Sequence, residues 1–179
     1  MQKALFVTGG TVGTGLAIAH KFAENGYAVF ISSRSGERAE QAAREVAAAH
    51  GVHAKGYALD IRDEERIKKI FRDIDAQDCF VETVALNSAD LGFGTDPAKG
   101  QDFFTVPVEE FQRVFETNLV WNFMIIRQAA LRMREHGKGA IVFVSSNTSY
   151  RAIPGRVAYS ASKGGINAMS RALAVDLGP

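Results

Sequence analysis

The chain has 179 residues, 46% hydrophobic and 23% charged, with a net charge of +1. That length suits one domain with a sizeable core, and the balanced charge excludes a protein that works by gripping nucleic acid or an anionic membrane. The single cysteine, Cys79, excludes an internal disulfide and points to a reducing compartment.

The chain opens MQKALFVTGG, passing almost directly into an apolar run and glycines without the pattern of a signal peptide. KALFVT (3–8) reads as a compact apolar strand. Leu16, Ile18, Ala19, Phe22 and Ala23 recur at helical spacing and predict a helix over 13–25, stopped by Gly26. YAVFIS (27–32) is a second strand. The Ala- and charge-rich run 37–50 is a helix closed by Gly51. HAKGYALD (53–60) is a weaker third strand, and 63–74 an amphipathic helix with acids in its first turn. FVETVALN (80–87) is the fourth strand. A Gly-rich connection over 91–107 is long enough to act as a lid or an edge contact. One long helix is predicted over 108–136, a fifth strand over 140–146 and a last helix over 158–177. The longest apolar stretch, NLVWNFMII, is too short to span a bilayer and is interrupted by Asn122. The expectation is a cytoplasmic protein with no membrane partner.

Apolar strands alternating with helices predict an α/β architecture, a parallel sheet covered on both faces. No internal repeat or low-complexity tract divides it, so residues 1–179 read as a single domain. In such sheets ligands bind at the carboxyl ends of the strands, where strand order reverses. All five predicted strands run into polar or glycine-rich residues: TGGTVGTG (8–15), SSR (32–34), Asp60, NSAD (87–90) and SSN (145–147). The glycines do not fit G-x-G-x-x-G. They stand as T-G-x-x-x-G-x-G, which still permits a tight turn and close approach of a pyrophosphate to a helix N-terminus. At the end of the second strand Ser33 occupies the place of the acid that commonly binds the ribose hydroxyls of NAD. Arg34 follows, which favours the 2′-phosphate of NADP, with NAD left open.

With TGGTVGTG, Asp60 in LDIRD, NSAD against Asn-Asn-Ala-Gly, Asn118 in ETNLV, Ser146 in FVSS, and YSASKGG in place, the chain resembles the short-chain dehydrogenase/reductase family over essentially its whole length. Ser146 precedes Tyr159 by thirteen positions and Lys163 follows it by four, the usual spacings of that family. The resemblance implies a Rossmann-like, doubly wound domain that moves a hydride between nicotinamide and a carbonyl or secondary alcohol. It implies catalytic roles for Asn118, Ser146, Tyr159 and Lys163. The cofactor would lie against Gly9, Thr11, Gly13, Thr14, Gly15, Ser33, Arg34, Asp60, Ile61, Asn87, Ala89, Tyr159 and Lys163. Tyr159 would be the acid or base. A free tyrosine titrates near pH 10, too high for a base near neutrality, and a cation one helical turn away favours its phenolate. Lys163 would also hold the nicotinamide ribose, Ser146 would bond the substrate oxygen, and Asn118 would anchor a water leading protons to Lys163. Thr8 is expected to bond the neighbouring strand-end turn. A homo-oligomer paired through helices 108–136 and 158–177 is expected from the family.

Two features depart from the family pattern. Asp90 stands where a glycine is usual, adding bulk and negative charge near the cofactor. The chain also stops at AVDLGP, before the sixth and seventh strands, so a fragment of a longer protein is expected. Phe103 and Phe104 belong to a loop read as a substrate-side or subunit-contact element. The alternative from another class is a non-catalytic dinucleotide-binding or regulatory protein. Cys79 is expected to be a small buried residue. His20, His50, His53 and His136 are expected at the surface, with no metal site.

Overall fold

The computed structural model describes residues 1–92, 102–151 and 153–178. Residues 93–101, inside the connection expected to act as a lid or edge contact, lie outside that set. The elements are β1 (Gln2–Thr8), α1 (Gly13–Glu24), β2 (Ala28–Ser33), α2 (Gly36–His50), β3 (Ala54–Ala58), α3 (Glu64–Asp75), β4 (Cys79–Leu86), α4 (Val108–Phe115), a π-helical segment (Glu116–Val120), α5 (Trp121–His136), β5 (Ala140–Phe143), a 3₁₀ turn (Asn147–Ser149) and α6 (Val157–Asp176). Among the described residues no helix is long and apolar enough to cross a membrane.

Residues 1–88 and 123–142 make one compact unit. Its sheet runs in the order β3-β2-β1-β4-β5. β1 pairs in parallel with β2 and β4, and β2 with β3. The chain winds outward from β1 to one side and then, from β4, to the other. The parallel sheet predicted from the alternation is therefore present in the Rossmann-like, doubly wound order that the resemblance implies, with its reversal between β1 and β4.

Alternate residues of the buried strands face opposite layers. Leu5, Val7, Val29 and Ile31 form one core with Ala19 and Ala23 of α1 and with Ala39, Ala42, Ala43 and Val46 of α2. The alanines let α2 lie close on the sheet, and Gly56 of β3 completes the approach. A Cβ added there would fall 2.2 Å from the Ala39 carbonyl carbon. From the other face Phe6 meets Phe71 of α3 at 5.2 Å between ring centroids. Arg132 of α5 covers Phe71 and pairs with Asp75 at 2.6 Å. The termini follow the local chemistry: Ser35 and Asp63 accept N-capping bonds from the Arg38 and Arg66 amides, and Gly51 closes α2 at φ 66°. Cys79 is buried at the start of β4, and burial pushes its thiol pKa up.

Residues 89–122 and 143–178 make the second unit. It contains α4, the π segment and α6. Here the structure corrects the expected single helix over 108–136, which is α, then π, then α. The side chain of Asn122 explains the break. Its Nδ2 donates to the Asn118 carbonyl at 2.7 Å, the acceptor that the Asn122 backbone N–H would use in an α-helix. The fifth strand is also shorter than expected. It ends at Phe143, because the next carbonyl, Val144 O, accepts from Lys163 and Ser146 then caps the 3₁₀ turn.

Candidate functional site

In the first unit, Thr8 ends β1 fully buried, and its Oγ1 accepts the backbone N–H of both Asn87 and Ser88 at 3.0 Å. Asn87 Nδ2 donates to the Gly9 carbonyl at 2.9 Å. These bonds hold the turn after β1 against the turn after β4. Gly9 adopts φ 63°, a conformation that glycine takes without penalty. A Cβ on Gly15 would lie 2.4 Å from the Gly9 carbonyl and 2.5 Å from Asn87 Nδ2. The loop is thus a cradle that a side chain would fill. It leads into α1, whose first residue is Gly13 and whose N-cap, Val12, offers no side-chain bond. The first turn of α1 carries no acid, so its N–H groups and dipole suit an anionic group. Thr14 is exposed beside this terminus and Thr11 half-buried before it. These features fit a dinucleotide pyrophosphate.

The other sites predicted in this unit lie at the ends of β2 and β3. Ser33 is half-buried and Arg34 exposed. Asp60 is held by Arg62 through paired bonds, the shortest 2.6 Å, and also accepts the Arg62 amide. These bonds hold its carboxyl near a pKa of about 2. Ile61 is buried beside it.

In the second unit, α6 carries both Tyr159 and Lys163. Lys163 is 2% exposed and its Nζ donates to Val144 O at 2.7 Å. The ammonium lies 5.6 Å from the centroid of the Tyr159 ring. Burial lowers the Lys163 pKa to about 8. The cation expected beside the tyrosine is therefore desolvated, which strengthens its field. Ser146 caps the 3₁₀ turn, its Oγ accepting from Thr148 N and Thr148 Oγ1 at 3.2 and 3.0 Å. That turn is fastened to α6, because Ser149 donates to Ser146 O at 2.6 Å and accepts from Asn167 at 2.9 Å.

Asn118 is fully buried in the π segment. Its Oδ1 accepts the Asp90 amide at 2.7 Å, and its Nδ2 donates to Asp90 O and Ser162 Oγ, each at 2.9 Å. The side chain clamps the chain beyond Ala89 to α6. Asp90, the departure seen in the sequence, is neutralised by an ion pair with Arg113. Its Oδ1 also accepts the Gly92 amide at 2.9 Å, and Gly92 turns at φ 63°. The loop therefore turns two residues later, on a glycine that is present.

Ser162, Asn122 and Asn167 were not among the residues picked from sequence. Nothing in a single sequence separates them from ordinary small polar residues of a helix, because each acts through a partner far along the chain. Two of the four histidines depart from the expected surface position, while His53 and His136 are exposed as expected. His20 and His50 are hydrogen-bonded to each other at 2.8 Å, half-buried between α1 and α2. His53 bonds Gln77, and His136 stacks on Phe80. Among the described residues no group of three metal-ligating side chains converges.

The family model for short chain dehydrogenases matches residues 3–179. The 3-oxoacyl-(acyl-carrier-protein) reductase FabG of Aquifex aeolicus is 32% identical over 181 residues, covering 99% of this chain and 68% of that one. Among solved structures, NAD+-bound xylitol dehydrogenase matches with a TM-score of 0.89 and 28% identity, over 99% of this chain and 65% of that chain. A variant of actinorhodin polyketide ketoreductase with NADPH matches with the same TM-score and identity, over 98% of this chain and 65% of that chain. The chain spans about two thirds of the length of these relatives.

Proposed function

The chain belongs to the short-chain dehydrogenase family, and from that premise we propose that it is the cofactor-binding and proton-transfer part of an NAD(P)H-dependent oxidoreductase acting on a carbonyl or secondary alcohol. The observation that carries this reading is the pair on α6: a buried, desolvated Lys163 one turn from Tyr159, with its ammonium 5.6 Å from the ring. The nicotinamide, when bound, supplies or accepts the hydride. Tyr159 gives a proton to the substrate oxygen in reduction and takes one in oxidation, and the charge of Lys163 stabilises the phenolate between those events. Ser146, fixed by its turn, donates its hydroxyl to the oxygen on which charge develops. Asn118, bonded to Ser162 of α6, anchors a water leading protons to Lys163.

The cofactor binds through Gly9, Thr11, Gly13, Thr14 and Gly15, with Asp60, Ile61, Asn87 and Ala89 lining its cleft and Tyr159 and Lys163 meeting its nicotinamide end. Ser33 with the exposed Arg34 favours NADP over NAD. Residues 1–179 act as a single nucleotide-binding domain in a cytoplasmic, homo-oligomeric enzyme. Its assembly pairs helices 108–136 and 158–177.

The test uses the full-length protein: NADPH binding by fluorescence, then turnover on a panel containing a 3-oxoacyl thioester, a polyketide-type ketone and a sugar ketone. Binding with turnover, and loss of at least about 100-fold in kcat with Tyr159→Phe, supports the reading. Absence of binding to both NADPH and NADH overturns it. Binding with no turnover on any carbonyl supports the non-catalytic alternative. Arg34→Asp is expected to move preference towards NAD, and an unchanged NADP/NAD ratio removes Arg34 from the phosphate site.

A further inference from the structure

Asp90 stands where the family pattern has a glycine, one residue beyond Ala89. Its backbone is pinned on both sides. The amide donates to Asn118 Oδ1 at 2.7 Å, and the carbonyl accepts from Asn118 Nδ2 at 2.9 Å. The side chain is pinned as well, because its Oδ1 accepts the Gly92 amide at 2.9 Å and only 18% of it is exposed. A negative charge is thus fixed in the loop that starts at Asn87, the residue bonded to the Gly9 carbonyl. A dinucleotide bound along this loop brings the further negative charge of its pyrophosphate. An unpaired carboxylate in partly desolvated surroundings would work against that binding.

Arg113 supplies the counter-charge from the last turn of α4. It also meets Glu110 at 3.2 Å, so one guanidinium serves two carboxylates. Arg113 is 45% exposed, and an ion pair that open adds little to global stability. Its weight lies in the charge that it cancels. With Arg113 present the three side chains carry one net negative charge, and without it they carry two.

We propose that Arg113 is a positioning residue for the cofactor and acts through Asp90: it holds the carboxylate in the loop and cancels its charge, which makes an acid in the place of the glycine compatible with a bound dinucleotide. The proposal rests on the oxidoreductase reading above. It makes Asp90 and Arg113 one unit, in which the loss of the cation is harmful only while the acid remains.

The test is made on the full-length protein with NADPH, or with NADH if that binds more tightly. Arg113→Gln is expected to raise Kd about fivefold or more, with the urea midpoint nearly unchanged. Arg113 reaches Asp90 through a single N–H, so the point charge of a lysine can replace it. Arg113→Lys should therefore stay within about twofold of wild type. Asp90→Asn combined with Arg113→Gln restores the original net charge and keeps an acceptor for the Gly92 amide. Its Kd should return to within about twofold of wild type. The loss in Arg113→Gln should also shrink as salt is raised from about 0.05 M to about 0.5 M, which a purely steric effect would not do. A Kd unmoved by Arg113→Gln overturns the proposal. A double variant as weak as Arg113→Gln also overturns it, because Arg113 would then act on the ligand or the fold without Asp90.

A second readout needs no cofactor. Hydrogen exchange of the Gly92 amide in the unliganded protein should quicken about threefold or more in Arg113→Gln and not in Arg113→Lys. Exchange unmoved in Arg113→Gln overturns the hold on the loop, whatever the protein binds. A wild type that binds neither cofactor, with the expected exchange change intact, removes the oxidoreductase reading and leaves the hold of Arg113 on Asp90 standing.

Discussion

Lys163 is the residue where function and stability oppose each other. Its folded pKa of about 8 lies below the ordinary 10.5 because burial disfavours the charged form. Below pH 8 the ammonium stays charged in both states, and its burial destabilises the fold. Between about pH 8 and 10.5 the unfolded chain keeps the proton that the folded chain releases, so stability from this group rises with pH. Lys163→Met is expected to raise Tm at pH 7 by about 3–6 °C while abolishing turnover, and the gain should shrink by pH 10. Thermal melts at the two pH values check it, and a gain as large at pH 10 would contradict the assigned cause. Gly15→Ala acts at the other functional loop. Its methyl group would meet the Gly9 carbonyl and Asn87 Nδ2, so NADPH affinity is expected to drop about tenfold or more with a smaller loss of stability. Equilibrium binding and urea melts separate the two effects. At this scale the sequence shows Tyr159, Lys163 and Ser146 clearly, because their chemistry is tied to residue type and fixed spacing. It does not show Ser162, Asn122 or Asn167, whose importance comes from which distant atom each one reaches.

Elements are joined here by side chains at their ends. Thr8 is the clearest case, since one buried hydroxyl oxygen satisfies two backbone N–H groups at the end of β4. Thr8→Val keeps the shape and leaves both donors bare. A loss of about 2–4 kcal/mol is expected in urea unfolding, whereas Thr8→Ser should stay within about 1 kcal/mol of wild type. Equal losses in the two variants would show that shape, not the hydroxyl, matters. Strands and helices of the first unit follow the predicted pattern to within a few residues, because apolar alternation, Ser35 and Asp63 caps and Gly51 all act locally. The break in the helix over 108–136 was hidden for the opposite reason. Asn122 looks like one polar residue in an apolar run until its side chain is seen to occupy the Asn118 carbonyl. Asp90 is similar. Its charge looked hostile to a cofactor, but Arg113, twenty-three residues on, neutralises it.

At the scale of the whole molecule, a net charge of +1 offers little self-repulsion against assembly. The helices expected to pair expose apolar side chains: Val108 is 66% exposed, Val120 51% and Val157 51%. Single exposed valines are ordinary on a monomer. Several on elements proposed to meet a second copy are what an interface requires. Val120→Asp, placing a carboxylate in that contact, is expected to weaken self-association of the full-length protein by about tenfold or more. Phe104 is 90% exposed outside both helices, on the loop read as a substrate-side or subunit-contact element, so Phe104→Asp tells whether that loop joins the contact. Sedimentation across a range of protein concentrations reads both variants. A wild type that stays monomeric at every concentration removes the proposed assembly. A Phe104→Asp effect equal to that of Val120→Asp moves the contact away from the helices and onto the loop that precedes α4.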